Sequence, residues 1–192
     1  MDIRIEDASV LEEYSKITPA FRVDSVLKTT SHGMRGIELS EEKVDTPYIK
    51  QNEDPMEWLV NHDISDWVFV TARDFNGVIV GGIASTNVQI FNDEKSLICH
   101  DHRILPEYRR SGVGQATAAA YYTWALAQGV TQLIWQTQNT NVPACKFASE
   151  QLGATLVGIS VKAYSDSPDE VQLLWSMDKD DMQRVIGRLA GN

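Results

Sequence analysis

The sequence contains few cysteines, and their placement limits the chemistry available to them. Among its 192 residues only Cys99 and Cys145 carry thiols, and no Cys-x-x-Cys spacing occurs. A disulfide is not expected in a reducing compartment, and we predict two buried free thiols. The alternative is a nucleophilic cysteine. Lys146 is the one neighbour in the chain that would lower the pKa of Cys145.

Long hydrophobic runs are also missing. No apolar segment reaches the roughly 20 residues that a membrane-spanning helix needs. The first seven residues are acidic overall, with charged and apolar side chains in alternation, and do not resemble a signal peptide. The sequence therefore predicts a cytoplasmic protein with no membrane partner.

Positive charge is scarce. The 17 lysines and arginines are outnumbered by 27 acidic residues, which gives a net charge of −10. This balance disfavours a nucleic-acid partner, which usually meets a basic surface. It suits a cationic substrate drawn to an acidic cleft, although solubility explains the charge equally well. The length and the hydrophobic fraction of 43% suit one domain, which we expect to span residues 1–192.

One short stretch combines glycine with arginine, between an apolar strand and an alanine-rich helix. The peptide Arg109-Arg110-Ser111-Gly112-Val113-Gly114 fits the pattern Arg/Gln-x-x-Gly-x-Gly/Ala. Glycine lets a phosphate approach the backbone, and the helix offers unpaired N–H groups with the positive end of its dipole. The pattern predicts a site for a phosphorylated cofactor; the alternative is an ordinary strand-to-helix turn.

The same stretch departs from two other phosphate-binding patterns. No Gly-Lys-Ser/Thr follows, so it is not a Walker A loop. Thr117 stands where a dinucleotide-binding motif has its third glycine.

Hydrophobic periodicity predicts a mixed α/β or α+β domain built on one sheet. We expect strands at 2–7, 67–72, 78–84, 96–105, 132–138, 156–164 and 171–177, with 88–91 extending the third of them past a bulge. Helices are expected at 8–17, 55–61, 113–129, 143–152 and 179–192, with Asn141 as the cap of the fourth. The segment 21–50 is harder to assign, beyond a strand over 21–27 and a turn at Gly33 and Gly36. We expect it to cover the mouth of an active site.

This order of elements resembles the GNAT superfamily of acetyl-CoA-dependent N-acetyltransferases. One matching motif covers residues 104–114, and the other is Asn141-Val142-Pro143-Ala144-Cys145-Lys146-Phe147 followed by Leu152-Gly153. A narrower likeness to streptothricin acetyltransferases rests on residues 136–141, 144–147 and 21–23. The resemblance implies a GNAT-like fold, with a mostly antiparallel central sheet that is flanked by helices and has splayed central strands.

The resemblance also implies where acetyl-CoA binds. In this family the pyrophosphate of coenzyme A sits on the amides of the glycine turn, and the pantetheine arm pairs with the preceding strand. Here that strand includes Ile104, and Asn141 is similar to the side chain that holds the pantetheine. The implied cradle consists of Arg109, Arg110, Ser111, Gly112, Val113, Gly114 and Gln115. No metal site is expected.

Candidates for a general base lie on the strand before the glycine turn. Alternation predicts His100 and His102 on one face and Asp101 on the other. Many relatives carry a glutamate base at the position of His100, and histidine has a pKa suited to base work near neutral pH. We predict His100 as the base, followed by His102 and then Asp101. The alternative is that the histidines only hydrogen-bond within the sheet, which we favour for His102.

One departure from the family concerns the acid that protonates the departing thiolate. Many relatives have a tyrosine one residue after the position of Phe147, where this chain has Ala148. Either no side-chain acid is used, or another group such as Tyr164 or Tyr108 replaces it.

These features predict an enzyme that transfers an acetyl group from acetyl-CoA to a primary amine of a small cationic molecule. A streptothricin-like antibiotic is one candidate acceptor. The alternatives are a protein lysine or N-terminal acetyltransferase, a sensor that binds acyl-CoA without turnover, and a nucleotide-binding protein. Because relatives are often dimers, a homodimer is a candidate assembly.

Overall fold

The structure is a computed structural model that describes residues 1–91, 94–164, 167 and 169–190. Within those residues, no helix combines the length and the apolar character needed to cross a bilayer. The strands are β1 Asp2–Glu6, β2 Ala20–Ser31, β3 Ile37–Gln51, β4 Val68–Arg73, β5 Ile79–Ser85, β6 Gln89–Phe91, β7 Glu94–Ile104, β8 Gln132–Gln138, β9 Thr155–Ser160 and β10 Gln172–Asp178.

Helices lie between and after the strands. The α-helices are α1 Leu11–Tyr14, α2 Trp58–Asn61, α3 Val113–Ala127, α4 Val142–Lys146 and α5 Lys179–Ala190. Short 3₁₀ turns occupy Ala8–Val10, Gly33–Arg35, Pro55–Glu57 and Pro106–Tyr108, and a π-helical turn over Phe147–Gln151 continues α4.

The large sheet has the strand order β1-β4-β5-β7-β8-β10-β9, with β6 paired to β7. Neighbouring strands are antiparallel except for the parallel pair β7 and β8. Helices α3 and α5 cover one face, where the largest apolar cluster forms around Tyr121, Leu133 and Met177. A second cluster around Tyr14, Trp58 and Phe69 packs on the other face beneath α1 and α2. The predicted mixed α/β, mostly antiparallel architecture is confirmed.

The parallel strands β7 and β8 pair along only part of their length. Their register runs from Ser96 opposite Gln132 to Cys99 opposite Trp135 and then stops. Beyond that point β7 stays paired with β5, while β8 stays paired with β10. The sheet therefore opens between β7 and β8 from His100 onward, which is the splay that the resemblance implied.

A β-bulge lies where this opening begins. On β5, Ala84 faces Asp101 and the next residue, Ser85, faces Cys99, which leaves His100 without a partner on β5. An extra residue in one strand shifts every following side chain to the opposite face. The bulge thus reverses the alternation of β7 at the predicted base.

The bulge overturns the predicted facing of the histidines. His102 lies on the α3 face against Thr117, Trp135 and Phe147. His100 lies on the opposite face, where its ring contacts Trp58 and Trp67. The prediction of one shared face assumed a regular strand, and the bulge is not visible in the sequence.

The segment that the sequence left largely unassigned is a long two-stranded arm of β2 and β3. Near its start, Ala20 accepts a hydrogen bond from Arg109, which follows β7. Farther along, Leu27 exchanges hydrogen bonds with Asn139, which follows β8. Because β7 and β8 are parallel, both contacts lie at the same edge of the sheet, and β2 crosses the open end of the splay.

Other differences from the predicted elements are local. The expected helices 8–17, 55–61 and 143–152 are present but broken into short α, 3₁₀ and π turns, and 88–91 is a separate strand rather than an extension. The region 37–51, which includes the weakly patterned 38–44, is the whole of β3. Its side chains are mostly exposed on both faces, so no alternation marked it as a strand.

Two glycine-to-alanine substitutions test the packing, and we expect them to change the unfolding free energy in opposite directions. A Cβ on Gly82 would lie 2.6 Å from the Val70 carbonyl oxygen and 3.0 Å from the Tyr14 ring. The Val70 backbone cannot move away without disturbing the sheet, so we expect Gly82→Ala to cost about 1–3 kcal/mol of unfolding free energy. Gly187 sits exposed within α5 with nothing near its would-be Cβ. Gly187→Ala should stabilise by about 0.5–1 kcal/mol.

Chemical denaturation of the two variants beside the parent protein measures both changes. A Gly82→Ala protein with an unchanged midpoint would contradict the close packing of β5 between β4 and α1. The gain at Gly187 checks that the method resolves an effect of this size.

Candidate functional site

The glycine turn between β7 and α3 has an unusual backbone. Arg110 adopts a φ of 61°, and Gly112 follows with a φ of 89°. A left-handed residue other than glycine carries strain and marks a place where the fold enforces a special shape. The Ser111 hydroxyl donates to the Tyr108 carbonyl at 2.6 Å and stabilises the turn from within.

The turn leads directly into the N-terminus of α3. Gly112 is the N-cap, and none of the described side chains caps the helix there. The first helical hydrogen bond runs from the Ala116 N–H to the Gly112 carbonyl, so the amides of Val113, Gly114 and Gln115 have no helical acceptor. A Cβ on Gly114 would meet the rings of His102 and Phe147 only at 3.5–3.6 Å. Unpaired amides at the positive end of a 15-residue helix are suited to binding an anion, as the predicted cradle requires.

The arginines of the turn take different positions. Arg109 folds back, so that its Nε donates to the Ile104 carbonyl at 3.0 Å and its Nη2 donates to the Ala20 carbonyl at 3.4 Å. Arg109 thereby ties the end of β7 to the arm. Arg110 and Ser111 are exposed beside the cradle.

Asn141 lies just past the end of β8, on the far side of the splay. Its Oδ1 accepts from the Ala144 N–H at 3.3 Å and caps α4, as the sequence predicted. An amide carries donors on its other atom, so capping leaves the Nδ2 group of Asn141 available to a ligand.

His100 sits in an aromatic pocket at the start of the splay. Its ring centroid lies 5.1 Å from that of Trp58, 4.7 Å from that of Trp67 and 5.2 Å from that of His62. Burial lowers the pKa of His100 below its usual value, against the opposing charge of Asp101. The imidazole is therefore neutral at pH 7 and able to accept a proton.

Asp101 belongs to a buried ion pair. Both carboxylate oxygens accept from Arg103, at 2.6 and 2.8 Å, and the Tyr14 hydroxyl donates to Oδ2 at 2.5 Å. Burial disfavours the charged carboxylate, but the Arg103 charge and these hydrogen bonds hold the pKa of Asp101 below its usual value. Arg103 also donates to the Ile17 carbonyl and so links β7 to the segment after α1. These contacts suit Asp101 to a positioning role rather than to that of a base.

His102 is enclosed on the opposite face. A ring nitrogen lies 3.1 Å from the Thr117 hydroxyl of α3, and the ring packs against Trp135 and Phe147. Burial lowers the pKa of His102 to about 4. These contacts favour the alternative that His102 hydrogen-bonds within the fold.

The two thiols are buried as predicted, and the tryptophans pack in the core. Cys99 and Cys145 are free and buried, and burial raises the pKa of Cys145 to about 11. A thiol with such a pKa carries almost no thiolate at neutral pH and is a poor nucleophile. Four of the tryptophans are buried and the fifth packs against the main cluster; they are Trp58, Trp67, Trp135, Trp175 and Trp124.

The position of the family's tyrosine acid lies in the core. Ala148 is 1% exposed, in the π-helical turn that follows α4. Of the two suggested replacements, Tyr108 packs on a small cluster with Val80 and Val113, away from β8. Burial raises the pKa of Tyr164, which is hydrogen-bonded to Gln138 at the end of β8.

The acidic residues of the arm are mostly paired within the chain. Their partners are Arg22 for Asp24, His32 for Glu38, Lys146 for Glu41 and Lys28 for Glu42. These side chains are exposed, and their ion pairs resemble ordinary solvated surface pairs.

Sequence reasoning missed the surroundings of His100. Glu53 and His62 each offer a ligand atom within 4.8 Å of one on His100. Both belong to the region between β3 and β4, distant in sequence from β7. No local motif joins these segments, so nothing in the sequence alone indicated their proximity.

The comparisons with known proteins agree with this geometry. Residues 37–154 match the family model described as acetyltransferase (GNAT) family. The match covers more than half of the chain, and the chain belongs to the GNAT family of acetyltransferases. It is therefore an acyltransferase that uses acetyl-CoA, the donor of this family. No curated protein sequence matches the chain significantly.

Similar solved structures extend the match over most of the chain. A nourseothricin acetyltransferase is 26% identical with a TM-score of 0.75, over 92% of this chain and 97% of that one. A candidate streptothricin acetyltransferase from Bacillus anthracis, in complex with acetyl coenzyme A, is 27% identical with a TM-score of 0.72, over 92% and 98%. The ribosomal-protein-S18-alanine N-acetyltransferase from Escherichia coli, at 15% identity, a TM-score of 0.61 and 92% coverage of both chains, shares the fold.

Proposed function

We propose that this protein acetylates a primary amine of a small cationic molecule, and that His100 is the general base. The observation that carries the proposal is the coincidence of three features on β7. Pairing with β8 stops at Cys99, the bulge re-aims His100, and the strand leads through the glycine turn to the unpaired amides of α3.

The chain's own residues fit acetyl-CoA along this path. The amides of Val113, Gly114 and Gln115, with Arg110 and Ser111 beside them, suit the pyrophosphate. From Ile104 back to His100 the strand spans about 13 Å, at roughly 3.3 Å per residue, with its β8 side unpaired. An extended ligand pairs with such a free strand edge, and Asn141 lies across the opening to donate to it.

His100 accounts for the proton that the acceptor must lose. An ammonium has no lone pair, so the amine reacts only after deprotonation, and a neutral imidazole near the start of the splay accepts that proton. Bound acetyl-CoA supplies an activated acetyl thioester and a thiol as its leaving group. A thiol has a pKa near 8.5, so the product can leave as a thiolate without a side-chain acid, consistent with Ala148 in the core.

The arm favours a small acceptor over a protein. Strand β2 crosses the open end of the splay between Arg109 and Asn139, where a peptide acceptor would need an open groove. The net charge of −10 and the Glu53 carboxylate near His100 favour a cation. The streptothricin-type neighbours support an antibiotic of that class as acceptor.

An assay of thiol release tests the function directly. Purified protein is incubated with acetyl-CoA and, separately, streptothricin, aminoglycosides, polyamines and lysine peptides. We expect release of free coenzyme A with the small cationic amines, and with streptothricin first. Release only with peptides would overturn the small-molecule proposal, and thermal stabilisation by acetyl-CoA without release from any amine would favour a sensor.

Substitution of His100 tests the base. We expect His100→Ala to lower kcat by about 10²–10⁴-fold while acetyl-CoA affinity is retained, because the side chain acts on the amine. The acid limb of the pH–rate profile should lie below about 6.5, since burial lowers the pKa of His100 and activity is lost as the ring is protonated. His100→Glu should restore part of the rate and move that limb to lower pH.

The control for this variant is His32→Ala, which removes an exposed histidine of the arm that pairs with Glu38. It should leave kcat and its pH profile unchanged. Equal rates for His100→Ala and the parent protein would exclude His100 as the base.

Two glycines with matched backbones test the cradle. Gly112 and Gly77 have φ values of 89° and 82°, and a Cβ on either would meet no described atom within 4 Å. Alanine at each site should therefore cost similar stability, about 1–3 kcal/mol. We expect Gly112→Ala to raise the Kd for acetyl-CoA at least tenfold, because the shifted turn misaligns the amides. Gly77→Ala should leave it unchanged, and equal affinities would contradict the cradle.

A further inference from the structure

Three potential metal ligands converge beside the splay, on the face away from α3. Glu53, His62 and His100 each offer one ligand atom, and these atoms all lie within 4.8 Å of one another. They come from three separate segments: the turn after β3, the end of α2 and the bulge of β7. The chain has only four histidines, so two of them in one small cluster is a notable concentration.

The carboxylate of the cluster is held in position. Glu53 Oε2 accepts from the Trp58 indole N–H at 3.1 Å, and Oε1 accepts from the Asn61 amide at 2.8 Å. Outer hydrogen bonds of this kind orient ligating carboxylates in metal sites. Each oxygen keeps a further lone pair, so these bonds leave Glu53 able to coordinate an ion.

The two imidazole rings of the cluster are positioned by aromatic packing. Trp67 packs against both rings, at centroid distances of 4.7 Å from His100 and 5.6 Å from His62. Among the described residues, no side chain forms a hydrogen bond with a ring nitrogen of His100.

We propose that Glu53, His62 and His100 form a binding site for a divalent transition-metal ion, of which Zn²⁺ fits the donor set best. Two imidazoles and one carboxylate, with a position left for water, are a common zinc ligand set. The same donors suit Ni²⁺ and Cu²⁺, whereas Mg²⁺ and Ca²⁺ prefer oxygen ligands.

The three ligand atoms must move slightly closer together to coordinate an ion. At Zn–ligand distances of about 2.0–2.1 Å, tetrahedral ligand atoms lie roughly 3.4 Å apart. Glu53 and His62 are exposed, and rotation of their side chains can supply this movement around the more buried His100. A bound ion would occupy the lone pair of His100, so the metal would inhibit an enzyme that uses this residue as its base.

Binding is measured on the full chain without acetyl-CoA or acceptor, by calorimetric titration of Zn²⁺ into protein in a non-chelating buffer. We expect one ion per chain, and reversal by a chelator. Ni²⁺ or Cu²⁺ should also quench tryptophan fluorescence, because Trp58 and Trp67 adjoin the cluster. A stoichiometry of zero, or affinity no tighter than for Mg²⁺, would overturn the proposal.

Variants assign the ligands. His62→Ala and Glu53→Gln should each weaken Zn²⁺ binding at least tenfold. His32→Ala is the matched control, because His32 is also exposed and also pairs with a glutamate, Glu38, but lies on the arm. Circular dichroism checks that each variant is folded. Equal loss in all three variants, or in none, would contradict the assignment.

The metal result is independent of the proposed function. Zinc binding that requires His62, in a protein that stays inactive toward every amine after the zinc has been removed by a chelator, would support the site and count against the proposed function. Active protein that does not bind zinc would support the proposed function and overturn the metal site.

Discussion

A single extra residue in β7 sets the geometry of the candidate site. His100 has no partner on β5, and the pairing of β7 with β8 ends one residue earlier. The bulge turns His100 toward the aromatic pocket of Trp58 and Trp67, while the unpaired strand beyond it offers its backbone to an extended ligand. The proposed base and the unpaired strand edge therefore share one structural origin.

The buried pair of Asp101 and Arg103 holds this irregular strand in place. A buried carboxylate is tolerated because Arg103 binds both oxygens and Tyr14 donates to one of them. Arg103 then reaches the Ile17 carbonyl, so the segment before the arm is tied to β7. The same network fixes the bulge and the start of the strand that crosses the splay.

The contrast between the two histidines follows from their surroundings. His102 packs beneath α3 with a pKa of about 4, and its Thr117 contact connects the strand to the helix that carries the cradle. His100 faces the exposed Glu53 and His62 instead. Of two residues with the same side chain, the one at the bulge is therefore our candidate for contact with an acceptor or a metal ion.

The sequence by itself determined the features that depend on short-range chemistry. Strand β8 and the start of α3 follow from periodicity and glycine, and an asparagine ahead of the helical pattern predicts the cap at Asn141. The bulge at His100, the long strand β3 and the Glu53–His62–His100 cluster were decided only by tertiary structure. Each depends on contacts between residues far apart in the chain: the register against β5, the pairing of the arm and the packing of α2 on β7. Local sequence patterns do not indicate such contacts, because the periodicity within a strand is the same whether or not its pairing with the neighbouring strand contains a bulge.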